Sequence, residues 1–225
     1  MDKTDALRAL EAEIEKDASL PLRGQANLVF GEGNPNCTVM FIGEAPGMNE
    51  DRERRPFVGR AGQLLRETIR SVGWKETDVY ITNIVKRRPP ENRDPLPAEI
   101  EAYKPYLTRQ IDIIAPPVIV PLGRFSMNYF LPEAKITRDQ GRVFRVAGPA
   151  APGDSARTGK TLIIPLFHPA AALRAPDVLR AFQESFKKLP GLIARGGAPE
   201  MPEAMPGASA AGAAEPEKPK QTKLF

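Results

Sequence analysis

Four short apolar runs, rich in β-branched residues, constrain the fold of this chain more than any other feature. The runs are VMFIGE from Val39, VYITNIV from Val79, VIVPLG from Val118 and TLIIPLF from Thr161. Their near-absence of charge is typical of strands that are covered on both faces. The segments between them, GRAGQLLRETIRSVG, PAEIEAYKPYLTRQIDII and RFSMNYFL, have helical periodicity. This alternation predicts an α/β fold, with a mainly parallel sheet and helices on both faces.

The ends of the chain differ in character. Leu7, Leu10 and Ile14 recur at helical spacing among charged neighbours, which predicts an amphipathic helix on the body of the domain. RVFRV from Arg142 is compatible with an extra edge strand, and VLRAFQESFKKLPGLIA predicts the last helix. Residues 196–220 are mostly Gly, Ala, Pro, Glu, Met and Lys without periodicity, which indicates a disordered linker. We therefore expect one catalytic domain over residues 1–195.

Composition narrows the class of protein. The 225 residues are 41% hydrophobic, and 32 Lys and Arg against 28 Asp and Glu give a net charge of +4, a mild excess that suits a polyanion. The single cysteine, Cys37, rules out a disulfide framework and four-thiolate zinc or iron–sulfur sites, and we expect it to be a buried strand residue. The charged N-terminus lacks an apolar signal core, which predicts a cytoplasmic protein.

Polar groups follow the predicted strands at the edge where ligands bind in open α/β sheets. They are GEAPG at residues 43–47, Thr82-Asn83, Leu122-Gly123 and His168-Pro169. Taken alone, GEAPG could be only a tight connection to the next helix, and it lacks the Lys and Ser/Thr of a phosphate loop. His168, the only histidine, could by itself be structural.

The motifs resolve this ambiguity when they are taken together. Four segments of the chain resemble, in the same order, the motif set of family 4 uracil-DNA glycosylases. They are GEAPGMNED, PFVGRAGQLL, VYITNIVKRRPPENRDP and FHPAAALR. The resemblance covers about Asn27 to Ala194. It implies a three-layer α/β/α uracil-DNA glycosylase-like fold with a mainly parallel central sheet. It also implies an enzyme that flips uracil out of single- and double-stranded DNA and hydrolyses its N-glycosidic bond. We expect this hydrolysis to rest on electrostatics and geometry and to need no metal or other cofactor.

The resemblance assigns the uracil-binding residues. It places Phe57 against the flipped base, where the alternative is ordinary core packing. Asn83 carries an amide that can donate to uracil O4 and accept from its N3 proton, which cytosine cannot match. Glu50 fills the space beside C5 and excludes thymine, unless it is only a solvated charge. Gly43 lets the backbone approach the ligand closely.

Two residues are candidates for catalysis. His168 resembles the donor that stabilises charge on uracil O2 as the base leaves, although the sequence does not reveal its tautomer. Glu44 occupies a strand-end position where it could orient water or steady the cation-like sugar. Some related families have Asp or Asn at the position of Ala45, so no strong general base is evident there.

DNA contacts are expected from loops at the same edge. Lys86, Arg87, Arg88 and Arg93 follow the Asn83 strand, and phosphate contact is the favoured interpretation over a merely solvated run. Leu173 and Arg174 resemble the loop that enters the duplex and fills the vacated space, with a plain helix start as the alternative.

Two other functions are compatible with the motifs. One is a non-catalytic, damage-binding repair module of the same fold, which the loss of cluster ligands makes conceivable. The retained site residues Glu44, Phe57, Asn83 and His168 argue against it. The other is a relative that traps DNA covalently through an additional histidine, which the single histidine disfavours.

Family 4 members carry four cysteines that bind an iron–sulfur cluster. The corresponding positions here are Asp17, Leu20, Arg87 and Tyr103, none of which supplies a thiolate. Because the four family positions meet at one cluster, we expect an Asp17–Arg87 ion pair and Leu20 packed on Tyr103, in a protein that is colourless and folds without iron.

The chain ends in QTKLF, which resembles the short peptide by which bacterial repair proteins bind the sliding clamp. Gln221, Leu224 and Phe225 would make the contacts, whereas the alternative is a tail without function. Partners are therefore expected to be uracil-containing DNA and a sliding clamp, bound by a monomer.

Overall fold

A computed structural model describes residues 2–145 and 161–194, and within them a six-stranded sheet has the order β1-β3-β2-β4-β6-β5. Its strands are β1 (Glu32–Gly33), β2 (Val39–Gly43), β3 (Val79–Asn83), β4 (Val118–Pro121), β5 (Phe144–Arg145) and β6 (Leu162–Ile163). The four central strands are parallel, and the edge strands β1 and β5 pair antiparallel with their neighbours. The predicted mainly parallel sheet, including the edge strand in RVFRV, is confirmed.

The register brings the strand ends to one edge. Val39 pairs with both Val79 and Val118, and Gly43 pairs with Asn83 at the other end of β2 and β3. Parallel strands that start level also end level, so the polar groups that follow them meet at the same edge.

The helices cover both faces of the sheet, as three layers require. They are α1 (Lys3–Lys16), α2 (Met48–Glu53), α3 (Arg60–Ser71), α4 (Pro97–Ile114), α5 (Arg124–Phe130), α6 (Ile136–Asp139), α7 (Pro169–Ala172) and α8 (Pro176–Ala194). Along β2, Met40 and Ile42 belong to the apolar cluster that contains residues of α1 and α4, whereas Val39 and Phe41 belong to the cluster with α3 and α8. This period-2 alternation is why every residue of β2 is buried.

The N-terminal helix is amphipathic, as predicted. Leu7, Leu10 and Ile14 are its buried residues, and α1 packs on α4. Lys3 Nζ also donates to the Ile114 carbonyl, 2.7 Å away, and ties the first turn of α1 to the end of α4.

Some details differ from the sequence expectations. Cys37 is buried, but it lies in the turn before β2 rather than in a strand. The TLIIPLF run forms only a short β6 and an isolated bridge at Leu166, because Pro165 between them has no N–H for the ladder.

The linker at residues 196–220 and the peptide at 221–225 lie outside the described residues. In the described part of the chain, no helix is long and apolar enough to cross a membrane.

Candidate active site

A pocket of about 730 Å³ opens at the carboxyl edge of the sheet. The pocket is lined by one residue from each predicted strand-end group, namely Glu44, Asn83, Gly123 and His168. Phe57, from the loop before α3, lines it as well. The structure therefore brings together the polar groups that the sequence placed after four separate strands.

Asn83 is the last residue of β3 and is only 2% exposed. Its side-chain amide has no hydrogen-bond partner among the described residues, although it lines the pocket. Gly43 lies beside it: a Cβ there would be 2.3 Å from Asn83 Oδ1 and 2.5 Å from Phe57 Cζ. Only glycine leaves room for both side chains, and an unpaired amide that faces the pocket is suited to a polar ligand.

Phe57 is buried and has a left-handed backbone with φ 54°, which is costly for a bulky residue. Its main chain is held from α3: Arg66 Nε donates to the Phe57 carbonyl at 2.9 Å, and a Cβ at Gly62 would be 2.0 Å from that carbonyl. The ring lies 5.8 Å from the His168 ring, centroid to centroid. One flat aromatic face is thereby fixed inside the pocket.

Glu50 has a second task that the sequence did not reveal. One carboxylate oxygen accepts from the Val58 and Gly59 amides at 2.9 and 2.7 Å, and the other accepts from Gly47 N at 3.2 Å. Glu50 lines the pocket as expected, but it also binds the GEAPG turn to the loop that carries Phe57.

His168 is held as a neutral donor. It is the N-cap of α7, and its Nδ1 accepts from the Ala170 amide at 3.1 Å, so the ring proton lies on Nε2. Burial lowers the pKa of His168 to about 4, with Glu50 opposing and Arg174 reinforcing the shift. Gly123 lies beside the His168 side chain: a Cβ at residue 123 would be 2.9 Å from His168 Cβ and 3.6 Å from the ring atoms Cγ and Cδ2.

Glu44 is partly buried at the end of β2. The pKa of Glu44 is raised to about 7, mainly by burial and also by the nearby Asp94 carboxylate, while Arg124 opposes the shift. Asp94 and Arg124 form an ion pair of 2.6 Å and both line the pocket. Sequence reasoning missed this pair, whose only signal was a basic residue in the first turn of α5, where the helix dipole disfavours it.

The structure corrects two of the four expected phosphate contacts. Lys86 is fully buried, and Arg87 is 3% exposed and paired with Glu15, so neither can reach DNA. Arg88 and Arg93 are partly exposed, and Arg93 lines the pocket while it forms a two-pronged bond to Glu99.

The segment expected to enter DNA is accessible. Leu173 is 43% exposed, which makes it one of three large exposed apolar side chains among the described residues, and Arg174 is exposed beside it. Arg174 also lines the pocket.

The four former cluster positions lie in one region, but the expected ion pair is wrong. Arg87 Nη2 donates to Glu15 at 2.7 Å and Nη1 to the Ala26 carbonyl. Asp17 follows the last residue of α1, and its carboxylate instead accepts from Ser19 and from the Tyr106 hydroxyl. Glu15, two residues before Asp17 and within α1, forms the ion pair with Arg87 that was expected for Asp17.

The two apolar positions of that hypothesis are both buried, while direct packing of Leu20 on Tyr103 stays a prediction. Leu20 and Tyr103 are buried in the same apolar cluster, and the Tyr103 hydroxyl donates to the Pro21 carbonyl at 2.8 Å. Across the described ranges, no group of three or more His, Cys, Asp or Glu is arranged to hold a metal ion.

Comparison with known proteins agrees with this geometry. Residues 30–189 match the family model of the uracil DNA glycosylase superfamily. A type-4 uracil-DNA glycosylase of Sulfurisphaera tokodaii is 43% identical over 82% of this chain and 84% of its own length. Proteins of the same name from Archaeoglobus fulgidus and Thermotoga maritima are 43% and 38% identical, over 73% and 87% of this chain and 81% and 98% of their own lengths. The family 4 resemblance is confirmed, and the chain belongs to the uracil DNA glycosylase superfamily.

Proposed function

We propose that this chain is a uracil-DNA glycosylase, which flips uracil out of DNA and hydrolyses its N-glycosidic bond as the first step of base excision repair. The observation that carries the proposal is the unpaired amide of Asn83, which faces a pocket that also contains the Phe57 ring and a neutral His168. Relatives named type-4 uracil-DNA glycosylase, at about 40% identity over most of the chain, support it.

Uracil recognition follows from complementary hydrogen bonding. The Asn83 amide donates to O4 and accepts from the N3 proton, and the base lies along the Phe57 ring. Cytosine presents an amine and a bare nitrogen to the same amide, which would leave buried polar groups unpaired. Glu50 is held rigidly by three backbone amides, so it can occupy the space beside C5 that a thymine methyl group needs.

Catalysis rests on charge stabilisation. The bond from C1′ to N1 breaks, and its electron pair leaves with uracil as a negative charge shared by O2. Water adds to C1′ and loses a proton, which passes to the uracil anion or to solvent. His168 Nε2–H donates to O2, and the Ala170 amide keeps that proton in place by occupying Nδ1. Glu44 orients the water or steadies the cation-like sugar when it is ionised.

The DNA path runs over the mouth of the pocket. Leu173 enters the space that the flipped nucleotide leaves, and Arg174, Arg88 and Arg93 contact phosphates. Because the pocket holds a single flipped nucleotide, the substrate can be single- or double-stranded DNA. The cytoplasmic location and the monomeric state stay predictions from the sequence.

Substitution of the two polar pocket residues tests the proposal. Both His168→Ala and Asn83→Ala should reduce single-turnover release of uracil by about 10²-fold or more, since each removes a positioned hydrogen bond from a site shielded from water. The measurement is alkali cleavage of a uracil-bearing oligonucleotide. Asn128→Ala, in which the lost amide does not line the pocket, serves as control. Near-normal rates for both site variants would refute the assignment.

The same assay distinguishes the proposed enzyme from the alternative, a damage-binding protein without catalytic activity. A binding-only protein would retain uracil-bearing DNA without releasing the base, whereas the proposed enzyme leaves abasic sites that alkali cleaves.

We also propose that Gln221, Leu224 and Phe225 bind a sliding clamp. The support is the QTKLF sequence alone, which lies outside the described residues.

A further inference from the structure

Lys86 is fully buried beneath the active-site edge. Within the described residues, every hydrogen bond of its Nζ goes to a neutral oxygen, and the Phe30 ring lies 5.8 Å away. Its Nζ donates to Thr82 Oγ1 at 2.6 Å, to Gln110 Oε1 at 2.6 Å and to the Asn83 carbonyl at 2.8 Å. The Phe30 carbonyl is a fourth, longer contact at 3.3 Å. A buried lysine without a carboxylate partner is rare, because the charge loses its hydration.

The surroundings supply an acceptor for each proton of an ammonium group. The Thr82 hydroxyl gives its own proton to the Phe30 carbonyl at 2.7 Å, which leaves its oxygen free to accept from Lys86. The Gln110 amide nitrogen is turned away, toward the Phe30 carbonyl and the Tyr80 hydroxyl, so its oxygen faces Nζ. Burial lowers the pKa of Lys86 well below its usual value, and the three close acceptors oppose this effect, because a neutral amine would have only two protons for them.

The cage lies directly behind the residue that reads the base. Asn83 is the last residue of β3, and its carbonyl is bound by Lys86 while its amide faces the pocket. Because that amide has no partner of its own in the described structure, its direction depends on the backbone of residues 82 and 83. Gln110 connects the cage to α4, which is a rigid support.

We propose that Lys86 is a positioning residue for uracil recognition, holding the Thr82 hydroxyl and the Asn83 carbonyl so that the Asn83 amide stays aimed at the base. This role rests on the proposed function and deepens it. Lys86 acts through Asn83 and does not touch the substrate.

A double-mutant cycle tests the role. Lys86→Met preserves the apolar stem and removes the donors, and it should slow single-turnover uracil release by about 10-fold in the otherwise unchanged protein. In an Asn83→Ala background, the same substitution should slow release no further, because the amide that it orients is gone. Thermal melting of all four proteins reports stability separately from the rate.

Two further variants make the result decisive. Thr108 lies on α4, as Gln110 does, and its buried hydroxyl contacts the hydroxyl of Tyr129 on α5. Thr108→Val removes this contact and should lower stability without slowing uracil release. If Lys86→Met does not fold, Gln110→Met keeps the lysine, removes one acceptor of its ammonium group and should show the same dependence on Asn83.

Two outcomes would overturn the proposal. One is a folded Lys86→Met protein that releases uracil at the rate of the unmodified protein. The other is that Lys86→Met or Gln110→Met, whichever folds, slows release equally with Asn83 present and in the Asn83→Ala protein. Failure of the unmodified protein to release uracil would instead refute the proposed function.

Discussion

Glu44 and His168 line one pocket, and burial shifts their pKa values in opposite directions toward the uncharged forms. The pKa of Glu44 rises to about 7 and the pKa of His168 falls to about 4. Near neutral pH, His168 is therefore a neutral donor throughout, whereas Glu44 is divided between its acid and its carboxylate. Pairs of groups that burial separates in this way are typical of active sites.

This difference predicts that the rate of uracil release depends on pH through the titration of one group, Glu44. If ionised Glu44 is the active form, the single-turnover rate should rise between about pH 6 and pH 8, because the carboxyl loses its proton as the pH passes its pKa. His168 does not contribute to this rise, since it is already neutral at pH 6. Glu44→Gln should flatten the profile and lower the rate above neutral pH. A profile with the same slope in both proteins would exclude Glu44 as its origin.

At the scale of elements, the former cluster region has become a junction between α1, α4 and the segment after β3. Arg87 crosses it, bonded to Glu15 of α1 and to the Ala26 carbonyl, while its Nε is the one buried side-chain nitrogen or oxygen atom in the described residues without a partner. The junction thus depends on the buried stem and the buried bonds of Arg87 more than on the ion pair, since Glu15 is 47% exposed.

Stability measurements can separate these contributions. Glu15→Gln should cost about 0 to 1 kcal/mol, because the partner is half exposed and screened. Arg87→Ala should cost about 2 to 4 kcal/mol, because it removes a buried stem and leaves the Ala26 carbonyl unpaired. Urea unfolding of both variants is the measurement. Asp17→Asn is the control, and energetic coupling between Asp17 and Arg87 would contradict the observed pairing.

At the scale of the whole molecule, the parallel sheet gathers the chemistry at one edge, and the mouth of the pocket is rimmed by Arg174 and the exposed Leu173. The C-terminal QTKLF would add a second binding function at the end of a Pro- and Ala-rich segment.

The clamp prediction is tested without altering the catalytic domain. Deletion of residues 221–225 should abolish binding to a bacterial sliding clamp in calorimetric titration, because the deletion removes Gln221, Leu224 and Phe225 together. Leu224→Ala with Phe225→Ala is the matched variant of full length and should also fail to bind. Uracil release from a short oligonucleotide should be the same in all three proteins. Equal heats with and without the peptide would contradict the prediction.

The sequence by itself determined the α/β class, the central strands and the meeting of Asn83, His168 and Glu44 at one edge. The reason is general: apolar β-branched runs form buried parallel strands, and the ends of such strands lie together wherever the connecting loops run. The motifs around those ends then pointed to the family without any knowledge of distances.

Only the tertiary structure decided which charged side chains face DNA. The sequence does not distinguish between four basic residues, Lys86, Arg87, Arg88 and Arg93. In the structure, the Val29 amide donates to the Lys86 carbonyl, and Lys86 and Arg87 are buried. Arg88 and Arg93 stay partly exposed. The tautomer of His168 was likewise decided by a neighbouring amide, at Ala170. Solvent exposure and proton position depend on contacts made by segments distant in sequence or on the local course of the backbone, and residue types alone do not determine either.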